Sequence, residues 1–204
     1  FLRSEGIPFA CLSPVEGLPP EGENSCPSVR VDDRGALRQL TAHLLSLGHR
    51  RLAFIGGPQE LVLQHERLAG VREALAAARL SAESLLLETS NLDEETGRLA
   101  ALRLLALPEP PTAIIGCTDR TALGALHAVR EAGYQPGKEI AVAGYDGIPA
   151  AAEANPPLTT LDQPTYQIAG LMVDLLLARL NKQNDQPPPE VIQPRLVVRA
   201  STQS

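Results

Sequence analysis

The amino-acid sequence predicts an α/β fold in which a doubly wound parallel sheet carries helices on both faces. Short apolar segments of strand length alternate strictly with longer segments whose leucines and valines recur at helical spacing. The predicted helices end at Gly48, Pro108 and Gly133, residue types that stop a helix before the next strand begins. Alternation of this kind is typical of parallel sheets, and 204 residues suffice to bury such a core.

The elements can be placed in order along the chain. A loop rich in Pro, Gly and Glu, residues 13–27, follows the first predicted strand. The predicted strands are residues 7–12, 28–31, 51–55, 85–87, 113–117, 140–144, 158–161 and 191–198. Predicted helices begin at Asp32 or Asp33, after Pro58, at Asn91 or Asp93, at Thr118 or Asp119, and at Tyr166. Their apolar positions are Leu37, Leu40, Leu44 and Leu47, then Leu68, Val71 and Leu75, then Leu99, Leu102 and Leu105, then Ala122, Leu126 and Val129, and finally Ile168, Leu171, Leu175 and Leu176.

Composition excludes several classes of function. A net charge of −6 and a sequence pI near 5.3 give no general attraction for nucleic acid. Cys11, Cys26 and Cys117 show no CxxC spacing, which suits free thiols in a reducing cytosol. The histidines are scattered without metal-ligand spacing, so no metal site is predicted, and no cofactor is indicated. No apolar run reaches the roughly 18 residues of a membrane helix.

No catalytic motif is recognisable in the sequence. Gly56-Gly57-Pro58 follows a predicted strand, but it matches neither GxGxxG nor GxxxxGK[ST], and Pro58 removes a backbone donor that a phosphate would need. No serine stands in a GxSxG frame. The sequence therefore predicts a protein that is not an enzyme.

Polar residues follow the carboxyl ends of several predicted strands, where parallel sheets bind ligands. They are Ser13, Thr118 with Asp119, Asp146 and Gln163, and Arg67 lies on the helix after the 51–55 strand. Hydroxyl, amide, carboxylate and guanidinium groups around one crevice are what a polyhydroxylated ligand requires, because each buried hydroxyl needs a partner.

For two of these residues, the sequence pattern is equally compatible with a structural role that involves no ligand. Asp146 lies between Gly144 and Gly147, so it could cap a turn as readily as bind a ligand. Arg67 could be a solvated helix residue.

Six segments resemble the LacI/GalR family in order and spacing, and together they cover nearly the whole chain. They are VRVDDRG (29–35), LGHRRLAFIGGP (47–58), TDRTALGAL (118–126), VAGYDGIP (142–149), PLTTLDQP (157–164) and LVVRAST (196–202). The resemblance implies an effector-binding, periplasmic-binding-protein-like type I fold with two lobes. Residues 1–31 and 161–193 would belong to an incomplete amino-side lobe, and residues 32–160 and 194–204 to the carboxyl-side lobe.

The resemblance also implies a function. A sugar or sugar derivative would bind between the lobes and change operator binding through their rearrangement. Operator DNA would be bound by a helix-turn-helix head that this chain lacks, in a cytoplasmic homodimeric repressor without membrane contact. A periplasmic sugar-binding protein of a transporter is the alternative.

The resemblance also assigns the family's ligand-contacting positions to individual residues of this chain. The family's ligand-contacting arginine falls on Arg67, its post-strand aspartate on Asp146, and its last polar contact on Gln163. Three positions depart from the family pattern: Ser13 replaces Asp, Thr118 replaces Asn, and Gly147 replaces the second Asp of GYDD. The position of a stacking aromatic aligns with Leu92. Tyr145 and Tyr166 therefore become the candidates for stacking on a ligand.

Overall fold

The computed structural model describes residues 2, 4–5, 7–12, 28–181 and 191–203. The strands are β1 (Cys11–Leu12), β2 (Ser28–Val29), β3 (Leu52–Gly56), β4 (Leu86–Thr89), β5 (Ala113–Gly116), β6 (Ala141–Asp146), β7 (Thr159–Asp162) and β8 (Arg195–Val197). The helices are α1 (Asp33–Ser46), α2 (Val62–Ala77), α3 (Glu94–Leu105), α4 (Asp119–Glu131), α5 (Pro149–Glu153) and α6 (Thr165–Leu180). The chain divides into two compact units, Phe1–Asp32 with Pro164–Pro194, and Asp33–Gln163 with Arg195–Ser204.

The larger unit is built on a sheet of strand order β4-β3-β5-β6-β7-β8. All pairs from β4 to β7 are parallel, and only the edge pair β7–β8 is antiparallel. The chain moves from β3 outward to β4, returns to β5 on the other side of β3, and then proceeds to β7. The strand order therefore reverses between β3 and β5, and such a reversal opens a crevice at the carboxyl ends of the two strands.

Alternating side chains of the central strands form two separate cores, one on each face of the sheet. Phe54 of β3 and Ile115 of β5 pack with α1 and α2 on one face. Ile55 and Ile114 pack with α3 and α4 on the other. These strands are apolar along their whole length because both faces are covered, as in parallel sheets generally. The predicted doubly wound fold is confirmed.

The smaller unit is described by a short parallel pair, β1 and β2, with α6. Its apolar cluster consists of the buried residues Val29, Ile168 and Ile192, with Leu171, Met172 and Leu175 packed against them. Val31 and Ile192 form an isolated parallel bridge.

Some predicted elements are shorter or rotated. The predicted strand 7–12 pairs only at Cys11–Leu12. The predicted strand 191–198 is reduced to Arg195–Val197, because Pro194 has no N–H to donate to a sheet. Leu99, predicted to face inward, is 42% exposed, since the buried stripe of α3 falls on Ala100, Ala101, Leu104 and Leu105. Leu47, also predicted to face inward, is 45% exposed because α1 ends before it, at Ser46.

Close contact between α3 and α4 depends on Gly124. A Cβ added there would overlap the carbonyl oxygen of Glu94 and lie 2.6 Å from the backbone nitrogen of Arg98. We expect Gly124→Ala to lower the free energy of unfolding by about 1–3 kcal/mol through overpacking, despite alanine's better helix propensity. Urea denaturation measures this change.

Gly170→Ala on α6 is the matched control. No other described atom lies within 4 Å of the Cβ that this substitution adds. It is expected to be neutral or to stabilise by up to about 1 kcal/mol. Equal effects of the two substitutions would show that the α3–α4 contact is not tight.

Candidate functional site

The candidate site lies at the carboxyl edge of the larger unit's sheet, where the strand order reverses. Arg67 on α2, the helix after β3, donates from its Nη1 to the carbonyl oxygen of Cys117, the residue after β5. The sequence separation of the two residues is large, but the parallel pairing of β3 and β5 brings their carboxyl ends together. The side chain of Arg67 is therefore held at the switch point, the usual ligand position in this class of sheet.

Arg67 is buried and held from several sides. Its Nε donates to Oδ1 of Asp33 at 2.8 Å, and its Nη2 lies 4.0 Å from Oδ1 of Asp146. Only 6% of its side chain is exposed, so the alternative of a solvated helix residue is wrong. Burial is the largest single influence and opposes the charge, but Asp33, Tyr145 and Asp146 together outweigh it and raise the pKa of Arg67.

Tyr145 packs against one face of the guanidinium. The Cζ of Arg67 lies 3.6 Å from the centroid of the Tyr145 ring, the geometry of a cation–π contact. Tyr145 is fully buried, and burial raises the pKa of its hydroxyl above the ordinary value. A ring covered by Arg67 and without exposed surface has no face for a ligand, which corrects the sequence prediction of direct stacking. Tyr166 is 96% exposed on α6, in the other unit.

The turn after β6 is tied by Asp119, not by Asp146. One carboxylate oxygen of Asp119 accepts from the backbone N–H groups of Gly147 and Ile148, at 2.8 and 2.9 Å. Its other oxygen accepts from the hydroxyl of Thr160 on β7. Burial raises the pKa of Asp119, and these donated hydrogen bonds partly offset the rise. The capping role that the sequence left open for Asp146 is therefore filled by another residue.

The Asp146 carboxylate is left for a contact outside the turn. Its Oδ1 accepts from Nε2 of Gln163 at 3.0 Å, and 30% of its side chain is exposed. Asp146 also has a φ of +125°, a strained value for a residue with a Cβ. Burial raises its pKa to about 6, although Arg67 lowers it and Asp119 raises it further. This is a carboxylate in an unfavourable environment, as binding sites often contain.

The raised pKa has a consequence for stability. Below about pH 4 the carboxyl is protonated in both the folded and the unfolded chain, whereas above about pH 6 the fold must hold it ionised at a cost. The wild type is therefore expected to lose stability relative to Asp146→Asn as the pH rises from 4 to 6. The difference should change by about 1–3 kcal/mol, measured by urea denaturation at pH 4.5 and 7. Glu153→Gln, on an exposed carboxyl, is the control, and a difference independent of pH would contradict this prediction.

The other predicted site residues differ in their surroundings. Thr118 is the N-cap of α4, where its hydroxyl accepts from the N–H of Thr121 at 3.2 Å. Its hydroxyl also lies 3.0 Å from that of Thr121, and it is partly buried at the same sheet edge. Gln163 contacts Asp146 directly. Ser13 lies outside the described residues.

Among the residues that the structure describes, no group of three or more His, Cys, Asp or Glu side chains is arranged to hold a metal ion. Burial raises the pKa of the Cys117 thiol to about 11, so it stays protonated at neutral pH and is not an activated nucleophile. None of the described helices is long and apolar enough to cross a membrane.

Comparison with known proteins shows which domain and which relatives this chain is similar to. Residues 41–202 match the model of the periplasmic binding protein-like domain. The transcriptional regulator CelR of Thermobifida fusca is 34% identical over 200 residues, which are 98% of this chain and 58% of CelR. The repressor CytR of Escherichia coli K12 is 31% identical over 211 residues, covering 100% of this chain and 62% of CytR.

Solved structures give the same result. The chain is similar to CelR in complex with cellobiose, with a TM-score of 0.89 and 34% identity over 98% of this chain and 60% of the other. It is also similar to a LacI family regulator of Enterococcus faecium with bound ribose, with a TM-score of 0.86 and 27% identity, covering 99% and 73% of the two chains. The chain belongs to the LacI/GalR family of periplasmic binding protein-like domains.

The family resemblance seen in the sequence is thus confirmed. The relatives are transcriptional regulators, which favours a regulator over both an enzyme and a transporter's periplasmic sugar-binding protein. The chain spans less than two thirds of the length of these two curated relatives.

The departure at Gly147 from the family pattern has a local reason in this chain. Its φ is +77°, a backbone conformation that glycine adopts without strain. A Cβ at this position would also overlap the side chain of Asp162 on β7 and lie 2.8 Å from its Cα. An aspartate at 147 would require the turn and β7 to separate.

Sequence reasoning missed what two carboxylates do in the site. The sequence pattern assigns Asp33 only a helix-capping role, yet it hydrogen-bonds to Arg67. Asp119 is expected at the end of the 113–117 strand and at the start of a helix, but no local pattern indicates that it ties the turn after β6. The signal available for Asp119 was its place after a strand of the parallel sheet, at the ligand-binding edge.

Proposed function

We propose that this chain is the effector-binding part of a LacI/GalR-type transcriptional regulator, and that its effector is a sugar-like small molecule. The observation that carries the proposal is that the Asp146 carboxylate is partly exposed and is not used to hold the turn. This carboxylate lies at the carboxyl end of β6, 4.0 Å from Arg67, while Asp119 accepts the hydrogen bonds of the turn that follows. Relatives with bound cellobiose and ribose support a hydroxylated effector.

In this proposal each polar residue has a distinct part. Asp146 accepts from adjacent hydroxyls of the sugar, since a carboxylate has lone pairs for several donors. Gln163 fixes the orientation of that carboxylate, and Arg67 supplies its positive neighbour. Thr118 and Ser13, placed at strand ends by the sequence, add hydroxyl contacts. Tyr145 contributes by holding Arg67.

Binding would act through a conformational equilibrium. An effector that binds one state of the regulator better than another shifts the population toward that state. In the intact, cytoplasmic and homodimeric regulator, this shift would change the affinity of a helix-turn-helix head for operator DNA. The names of CelR and CytR, both HTH-type regulators, support this part of the proposal.

The first experiment is a binding screen on the chain itself. Cellobiose, ribose and other neutral sugars are added in a thermal-shift assay, and each hit is titrated by calorimetry. Saturable binding by at least one sugar, with the sugar recovered unchanged, is the expected result. Betaine at equal concentration controls for solvent effects on stability. Absence of saturable binding across the neutral sugars, or turnover of the bound sugar, would contradict the proposal.

A further inference from the structure

We propose that the site at this sheet edge selects uncharged or amine-bearing polyols and rejects ligands that carry a phosphate or carboxylate. The inference rests on the proposed function and specifies the charge class of the effector. Three independent observations support it: the engagement of Arg67, the occupation of the nearby backbone donors, and the excess of carboxylates.

Arg67 has little to offer an anion. Its Nε is engaged by Asp33 at 2.8 Å, its Nη1 donates to the carbonyl of Cys117, and its Nη2 faces Asp146. One face of the guanidinium is covered by the ring of Tyr145. Recognition of phosphate or carboxylate by arginine uses a pair of parallel N–H donors that the ligand can reach, whereas the Arg67 side chain is only 6% exposed and its Nε and Nη1 already donate to protein oxygens.

Four backbone donors at this edge of the sheet are also occupied. Loop glycines and helix starts at strand ends bind anions through free N–H groups. Here the N–H of Gly57 donates to Oε1 of Gln64 at 2.6 Å, and that of Thr121 donates to the hydroxyl of Thr118. The N–H groups of Gly147 and Ile148 donate to Asp119. These four N–H groups already donate to protein oxygens and are not available to a phosphate.

Carboxylates outnumber cations in direct contact at this edge. Asp33 and Asp146 both face the single guanidinium of Arg67, and their side chains are 10% and 30% exposed. Asp119 is buried nearby and influences Asp146. Arg199 offsets part of the Asp119 charge, but its Nη1 donates to the carbonyl of Leu158. An anionic group beside Asp146 would therefore meet a like charge in a partly buried place, where repulsion is weakly screened.

The surroundings of Asp146 also predict how pH changes the discrimination between neutral and anionic ligands. The groups facing it are Arg67, Gln163 and Asp119, with Asp33 and the Tyr145 ring behind Arg67. The pKa of about 6 means that Asp146 becomes largely neutral at pH 5. Discrimination against anions should therefore weaken as the pH falls from 7.5 to 5.

The test compares matched ligands on the whole chain by calorimetry at pH 7.5. The pairs are glucose with glucose 6-phosphate, ribose with ribose 5-phosphate, and cellobiose with cellobionate, and glucosamine represents the amine-bearing class. For any neutral sugar that binds, we expect the anionic partner to bind at least about 30-fold more weakly, a difference near 2 kcal/mol. Where glucose binds, glucosamine should bind at least as tightly. Asp146→Asn should reduce the ratio between neutral and anionic partners several-fold.

The outcomes separate the two proposals. An anionic partner that binds as tightly as the neutral sugar would overturn the inference and leave the proposed function standing. The inference is likewise overturned if Asp146→Asn leaves the ratio unchanged. If none of the sugars binds in either form, the proposed function fails, and the inference fails with it.

Discussion

Replacing Asp146 with alanine is expected to weaken binding of a neutral sugar at least about 100-fold, because each hydrogen bond to a charged group contributes roughly 1.5–3 kcal/mol and a carboxylate can accept from two sugar hydroxyls. Neither of the carboxylates in contact with the same residues, Asp119 and Asp33, can substitute for it. The oxygens of Asp119 are engaged by Gly147, Ile148 and Thr160, and Asp33 is held by Arg67. Calorimetric titration measures the loss.

The same substitution should leave stability nearly unchanged or slightly improved. The turn after β6 keeps its hydrogen bonds to Asp119 when the Asp146 side chain is removed. The pKa of Asp146 is raised to about 6, so at neutral pH the folded chain holds this carboxylate ionised at a cost. A group that the fold tolerates poorly is characteristic of a functional site, where stability is given up for binding.

The control for this prediction is Glu153→Ala, which removes an exposed carboxylate from α5 of the same unit. It should change neither sugar affinity nor melting temperature. If Asp146→Ala instead unfolds the protein at a much lower temperature while sugar affinity is retained, Asp146 has a structural role in the turn. Thermal denaturation and calorimetry on the same preparations distinguish the two cases.

The fold could be predicted because the local signals agreed with one another. Asp93 and Thr118 cap their helices through hydrogen bonds to backbone N–H groups three residues later. Gly48 and Gly133 end theirs with φ values of +93° and +87°. Where prediction failed, at Leu99, the helical spacing was right but the rotation of the helix depended on tertiary contacts, whereas Leu47 lies beyond the last residue of α1. Spacing along a sequence does not determine which neighbouring position faces the core.

The site could be predicted only in part, for a related reason. Topology alone placed Arg67, Thr118, Asp146 and Gln163 at one edge, since parallel strands share the direction of their carboxyl ends. Which carboxylate ties the turn, and which faces outward, depends on side-chain directions and on pairs far apart in sequence. The hydrogen bonds from Gly147 and Ile148 to Asp119 span 28 and 29 residues, and no local pattern encodes them.

Arg67→Ala is expected to have the largest effect on stability, a loss of about 3–5 kcal/mol in the free energy of unfolding. The reason is the charge that remains. Asp33 is 10% exposed, and without Arg67 its carboxylate would stay buried with no guanidinium partner. The carbonyl of Cys117 would lose its donor, and the ring of Tyr145 its covering cation. Sugar binding should fall as well, because Asp146 loses its positive neighbour.

Urea denaturation of Arg67→Ala and of a set of comparison variants tests this prediction. Arg72→Ala, which removes an exposed arginine from the same helix, should change stability by less than about 0.5 kcal/mol. Adding Asp33→Asn to Arg67→Ala should recover part of the loss, since the stranded charge is then removed, and the two substitutions will not be additive. Additive losses, or equal effects of Arg67→Ala and Arg72→Ala, would show that the Arg67–Asp33 pair does not stabilise the fold.

The free energy of unfolding of Arg67→Lys should fall between those of the wild type and Arg67→Ala. An ammonium group keeps the positive charge, but it is not a planar fork that can reach Asp33 and the Cys117 carbonyl while covering Tyr145.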